Sequence, residues 1–212
     1  MNASHTEINV DGTLFTFPSD WRVSTFDTWK QFTQVAGWLG IQGCDLVAIG
    51  EDTVWLIEVK DYTYDSAEPP KDLHETVARK AIGTMAILFA QARSSSHSEA
   101  NSVATACTTA TQIKLALHIN VRTGGRASTH LQSALVPIQH QLTRVKKRLG
   151  VSRALVTTNF HNTAPWQARR DPGTRHLHTD RSQPASSSNN VEHTGLNHSA
   201  RISSFTRPYY RC

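Results

Sequence analysis

Two apolar runs separated by a four-residue turn constrain this chain more than any other feature. Cys44-Asp45-Leu46-Val47-Ala48-Ile49 is followed by Gly50-Glu51-Asp52-Thr53 and then by Val54-Trp55-Leu56-Ile57-Glu58-Val59-Lys60. The β-branched and aromatic content of the runs, with the turn between them, predicts a hairpin of strands over 44–50 and 53–62. Val54 to Val59 is apolar except for Glu58, the pattern of a strand buried on both faces. A carboxylate in such a strand needs a partner or a cation. Side chains alternate along a strand, so Glu58 and Lys60 share a face, and Asp45, opening the preceding strand, can fold back beside them.

The rest of the chain reads as helices and strands around that hairpin. Residues 7–17 predict another hairpin, turning at Asp11-Gly12 and ending at Pro18. Ser24 is placed to cap a helix through Phe26, Trp29, Phe32 and Gln34, after which Gly37, Gly40 and Gly43 mark irregular chain. Leu73, Val77, Ala81, Met85, Leu88 and Ala92 form one apolar stripe, predicting a helix over 72–93. The polar, alanine-rich stretch from Ser94 to Gln112 is compatible with partial helix, and Ile113 to Val121 alternates like a strand. Thr123 to Ser128 reads as loop. Leu131, Leu135, Ile138, Leu142, Val145 and Leu149 repeat at helical spacing, with a start or kink expected at Pro137 and an end at Gly150. Arg153 to Asn159 is a final strand. The order predicts an α/β fold, a mixed central sheet flanked by helices, whose last strand–helix–strand step is a parallel crossover.

The chemistry concentrates at the central hairpin. Two carboxylates can hold a hard divalent cation, and a lysine ammonium can stabilise an attacking oxygen or a phosphate, a set suited to metal-assisted phosphodiester hydrolysis. Read blandly, Glu58 and Lys60 are a surface ion pair on an edge strand; the apolar flanks argue against that.

The acid at Asp45, followed 13 positions later by Glu58 and then by Lys60, resembles the PD-(D/E)xK nuclease superfamily. The resemblance spans about Asp45 to Asn159, and Leu56-Ile57-Glu58-Val59-Lys60-Asp61-Tyr62 with Ala78-Arg79-Lys80 is similar to a group of uncharacterised bacterial proteins with that core. It implies a restriction-endonuclease-like sheet and a magnesium-dependent endonuclease, with manganese as a substitute, cleaving phosphodiester bonds in DNA. It also implies a metal held by Asp45, Glu58 and the Val59 carbonyl, with Lys60 orienting or activating the nucleophile. The alternative is a catalytically inactive nuclease-fold module that binds nucleic acid or a partner protein. Cys44 stands where many members have proline, and the first helix offers no firmly placed acid, with Asp27 and Glu7 the candidates. Small nucleases often form homodimers to cut both strands, but no interface is legible here.

Further nucleic-acid contacts are weaker expectations. Lys80 faces either the site, where it would touch a phosphate, or solvent, and Arg79 is read as solvated. Lys146 and Lys147, with Arg144 and Arg148, would meet DNA backbone if the sheet binds DNA; otherwise they are a solvated face at a helix C-terminus. Trp38, Trp55 and Trp166 are aromatic enough to stack on bases, though Trp55 belongs to a buried strand.

Composition bounds the setting. Seven arginines against three acids give residues 168–212 +4 of the formal net charge of +5, leaving a nearly neutral domain over 1–167. The basic segment is rich in Ser, Thr, Asn, His, Arg and Pro and is expected to be a disordered tail, its histidines a matter of composition. Cys44, Cys107 and Cys212 are too scattered for a disulfide framework or a zinc site. No long apolar segment and no secretory signal are evident, so a cytoplasmic, membrane-free protein is expected.

Overall fold

The computed structural model describes residues 5–64, 69–95, 97–121 and 126–171, with the side chains of 126–132 and 134 left aside. The central hairpin is present as expected: β4 (Leu46–Gly50) and β5 (Thr53–Tyr62) pair antiparallel with Leu46 opposite Ile57. β3 (Arg22–Thr25) adds antiparallel to β4, while β6 (Gln112–Val121) and β7 (Arg153–Thr158) add parallel beyond β5. The result is a five-stranded mixed sheet in the order β3-β4-β5-β6-β7. Parallel neighbours require long crossovers, and α2 (Leu73–Ala92) with α3 (Glu99–Thr109), then α4 (Arg126–Leu149), supply them.

The strand faces divide the core. Even-numbered residues of β5, among them Val54 and Leu56, pack with Phe32 of α1 (Lys30–Leu39) and with Val77, Ala81, Val103 and Leu142 of the other helices. Odd-numbered residues, among them Trp55, Ile57 and Val59, pack under a second sheet. That sheet is the predicted N-terminal hairpin, β1 (His5–Val10) and β2 (Thr13–Pro18), extended by β8 (Gln167–Arg170). Phe15 and Phe17 of β2 and Trp166 fill the space between the sheets. β5 is therefore covered on both sides, and that is why its sequence is almost wholly apolar.

Four expectations need correction. Ser24 caps no helix: it lies in β3 opposite Val47, and its hydroxyl accepts from Trp29 Nε1 at 2.8 Å. A 3-10 turn at Phe26–Thr28 follows, and α1 starts only at Lys30, passes Gly37 and stops at left-handed Gly40, φ 66°. α4 starts at Arg126, so part of the expected loop is helical; Pro137 lies inside, since a proline removes one backbone donor without ending a long helix. The expected domain boundary at 167 moves outward, because Ala168, Arg169 and Arg170 pair with β2 and Asp171 donates its N–H to Gly12 O. An edge strand with free backbone groups, β2, recruits this basic segment despite its polar sequence. The expected disordered tail beyond Asp171, and residues 123–125 of the expected loop, lie outside the described residues.

Candidate functional site

β4 hydrogen-bonds to β5 only as far as Leu46, and the next residue back replaces the ladder with its side chain. Asp45 Oδ2 accepts from the Val59 N–H at 2.7 Å, while its own carbonyl accepts from the Phe26 N–H at 2.9 Å. The N–H and C=O of a strand residue point to the same neighbour, so the Val59 carbonyl also opens on the Asp45 side. Asp45 and Val59 thus stand at one notch in the sheet, beside Glu58.

Glu58 and Lys60 both face the helices, as alternation requires, and Lys60 Nζ lies 2.7 Å from Glu58 Oε1. Lys80 comes down from α2 onto the same oxygen at 2.6 Å and reaches Asp45 Oδ1 at 3.6 Å. Its neighbours Val77 and Ala81 are fully buried, so the stem of Lys80 is anchored on the core and its ammonium held inward. Of the two readings open for Lys80, the structure takes the one facing the acids. Arg79 is exposed on the other face, 3.7 Å from Glu75.

Two contacts hold α2 against the strand start. The Thr84 hydroxyl donates to Lys80 O at 2.9 Å and accepts from the Cys44 N–H at 2.8 Å. One residue earlier, a Cβ on Gly83 would lie 2.0 Å from Gln42 O, so only glycine permits this approach of helix to loop. Glycine and threonine together set the distance at which Lys80 meets the acids.

Electrostatically the site is two buried or half-buried acids against two ammonium groups. Burial pushes Glu58 up to about 7, and the Asp45 carboxylate adds to this, against the pull of Lys80 and Lys60. Burial disfavours the Lys80 ammonium, but Glu58 and Asp45 outweigh it and hold the lysine above its usual range. Glu58 Oε2 is buried without a hydrogen-bond partner among the described residues. Burial, reinforced by Glu58, also raises the Cys44 thiol far above its usual range, which leaves it protonated and poorly nucleophilic.

Two more acids stand at the rim. Asp11, on the left-handed turn of the N-terminal hairpin (φ 48°), is raised by loss of solvent and then by Asp45. Asp27, in the 3-10 turn, is raised by loss of solvent and then by Asp45 and Asp11. Asp27 was one of the two acids considered from the sequence. The other, Glu7, lies on β1 with its carboxylate 3.5 Å from the Thr16 hydroxyl. In the sequence Asp11 signals only a turn, because nothing local tells which loop the second sheet brings near Asp45.

Lys146 and Lys147 are not brought to this site. They lie in the last turn of α4, whose C-terminus leads into β7 where Arg153 pairs with Lys114, near the Thr53 end of β5 and not its Glu58 end. Of the three tryptophans considered for stacking, Trp55 and Trp166 are core, and Trp38 is 81% exposed on α1.

A hard divalent cation fits the donors at the notch in part. Magnesium commonly takes one or two carboxylates and keeps several waters, and Asp45, Glu58 and the Val59 carbonyl provide such a set, with Oε2 of Glu58 unengaged. Among the described residues no group of three or more His, Cys, Asp or Glu converges on a metal position. The Lys80 ammonium already bridges the two carboxylates.

No family model matches the chain, and no solved structure matches it. A cysteine–tRNA ligase of Neisseria meningitidis (serogroup A, serotype 4A) is 26% identical over an aligned length of 181 residues, covering 70% of this chain and 25% of that protein. The chain thus spans about a quarter of the length of this curated relative.

Proposed function

We propose that this chain is a metal-dependent nuclease of the PD-(D/E)xK type, hydrolysing phosphodiester bonds in DNA. The observation that carries the reading is that Asp45, just before β4, bonds the Val59 N–H beside the Glu58–Lys60 pair of β5, so that the three groups meet at one notch. Asp45, Glu58 and the Val59 carbonyl would hold magnesium or manganese. The ion, when bound, screens phosphate charge and lowers the pKa of a coordinated water. Lys60, 30% exposed at its side chain, reaches from the buried acid toward solvent and orients the nucleophile and scissile phosphate. Lys80 balances the two carboxylates from behind.

A second reading has one specific observation in its favour. The Lys80 ammonium contacts both acids, so the pair is neutralised without any added cation. In that reading the domain is a nuclease-fold module that binds nucleic acid or a partner without cutting.

One experiment separates the two. The purified chain is incubated with single- and double-stranded DNA and with RNA, in magnesium, manganese or chelator, beside Glu58→Ala and Lys60→Ala. Cleavage that requires the cation and disappears in both variants is expected. Cleavage persisting in Glu58→Ala would remove the nuclease reading, and salt-dependent binding without cleavage would favour the module.

A further inference from the structure

At the Thr53 end of β5, on the face that carries the second sheet, the structure has a cavity of about 290 Å³. Trp55, the lining residue on β5 nearest the acid, is three steps along the strand from Glu58, about 10 Å, and points to the other face. The cavity and the acid–lysine notch therefore lie on different faces of one strand.

Its walls are aromatic and basic. Trp55, Lys114 and Arg153 are register partners on three successive strands, and Lys114 Nζ lies 5.4 Å from the Trp55 ring centroid. Trp21 forms the facing wall. Its indole lies flat across the β4 backbone at Gly50, where an added Cβ would sit 1.9 Å from Trp21 Cε2. Phe17 stacks behind it at 6.0 Å and Trp166 meets it edge-on at 6.3 Å, so the ring is braced while its side chain stays only half-buried. Among the described residues Lys114 and Arg153 form no ion pair and Glu51 is the one acid lining the cavity.

A rigid aromatic wall beside two unpaired cations matches a ligand that is flat at one end and anionic at the other. We propose that this cavity binds one nucleotide unit, its base against the part of the Trp21 ring that Gly50 and Phe17 leave open to the cavity and its phosphate between Lys114 and Arg153. A nucleobase is sequence-tolerantly attracted to an indole face, and guanidinium and ammonium groups are strong phosphate donors. A simple anion would leave Trp21 unused, and an apolar ligand would leave both cations unanswered. The ligand chemistry is the same whether the unit is a free nucleotide or part of a strand. The inference does not depend on catalysis at Glu58, because neither the cavity nor its cations touch that site.

Calorimetric titration of the full chain, in chelator, tests it with adenosine monophosphate, ribose 5-phosphate and a short single-stranded oligonucleotide. The monophosphate is expected to bind more tightly than ribose 5-phosphate. Tighter binding of the oligonucleotide would identify a strand as the source, and equal binding a free nucleotide. Arg153→Gln, at an exposed strand start, is expected to weaken binding about tenfold. Trp21→Leu is expected to abolish the preference for the monophosphate over the sugar phosphate. Because the titration is run in chelator, its outcome is separate from any cation-dependent cleavage at Glu58. No binding of either nucleotide ligand, equal binding of the sugar phosphate and the monophosphate, or unchanged affinity in Arg153→Gln would overturn the proposal.

Discussion

Lys80 Nζ lies 2.6 Å from Glu58 Oε1, a pairing across 22 residues that joins the middle of a helix to the most deeply buried acid of the site. The same ammonium is 3.6 Å from Asp45 Oδ1, so one lysine offsets the repulsion between two carboxylates. Removing one partner of a buried pair leaves the other uncompensated, at a cost of about 3–5 kcal/mol. Lys80→Met is therefore expected to be strongly destabilised in chelator, measured by urea unfolding. Manganese is expected to raise its stability more than that of wild type, because a divalent ion can take over the neutralisation. Equal response of the two proteins to manganese would show that lysine and cation do not share a position.

Gly83→Ala poses a clean conflict between helix propensity and packing. Alanine is favoured over glycine in a helix interior by about 1 kcal/mol. Here its methyl would lie 2.0 Å from Gln42 O, a backbone atom that cannot step aside alone. Overpacking of this kind typically costs about 1–3 kcal/mol. A net loss of stability and a weaker metal response are expected by thermal denaturation with and without manganese. A net gain would mean that α2 does not press on the 42–44 segment.

Thr84→Val tests the second clasp with little change in shape. It removes the acceptor for the buried Cys44 N–H, at a cost of about 1–3 kcal/mol. Because Cys44 precedes Asp45, any nuclease activity is expected to fall more than the folded fraction does. Activity tracking the folded fraction alone would make Thr84 a stability residue only.

His118 is fully buried on β6, its Nδ1 3.0 Å from the Thr157 hydroxyl, and burial lowers its pKa to about 4. The unfolded chain, with an ordinary histidine near 6.5, binds the proton more tightly. Stability from this residue is complete above pH 6.5 and is lost as pH falls toward 4, with a limit of roughly 3 kcal/mol. Glu58, raised to about 7, gains stability over the same window, so the His118 loss is read by urea unfolding at pH 7 and 5 as the difference between wild type and His118→Leu, the variant losing less on acidification. An unchanged slope in His118→Leu would place the acid sensitivity elsewhere.

Much of the fold is legible before any coordinate is known. The hairpin over 44–62 and the stripe from Leu73 to Ala92 follow from spacing alone, because period-2 and period-3.6 patterns report which face each element buries. The shared face of Glu58 and Lys60 is legible for the same reason. The segment from Ser24 to Leu39 departs from its expected helix because its serine, the usual start signal of a helix, is used by a strand that completes the sheet edge. β8 was invisible because its pairing comes from the unfilled edge of β2 and not from any pattern in Gln167–Arg170.

What the sequence by itself determined is the central β-hairpin and the acids and lysine it carries, since alternation along a strand is a local consequence of backbone geometry. Only the tertiary structure decided that Lys80 turns inward onto Glu58, that Asp11 and Asp27 stand at the rim, and that Lys146 and Lys147 belong to the far end of the sheet. Those outcomes depend on how α2, the second sheet and α4 dock, and docking is set by long-range packing such as the Gly83–Gln42 contact, which no window of sequence contains.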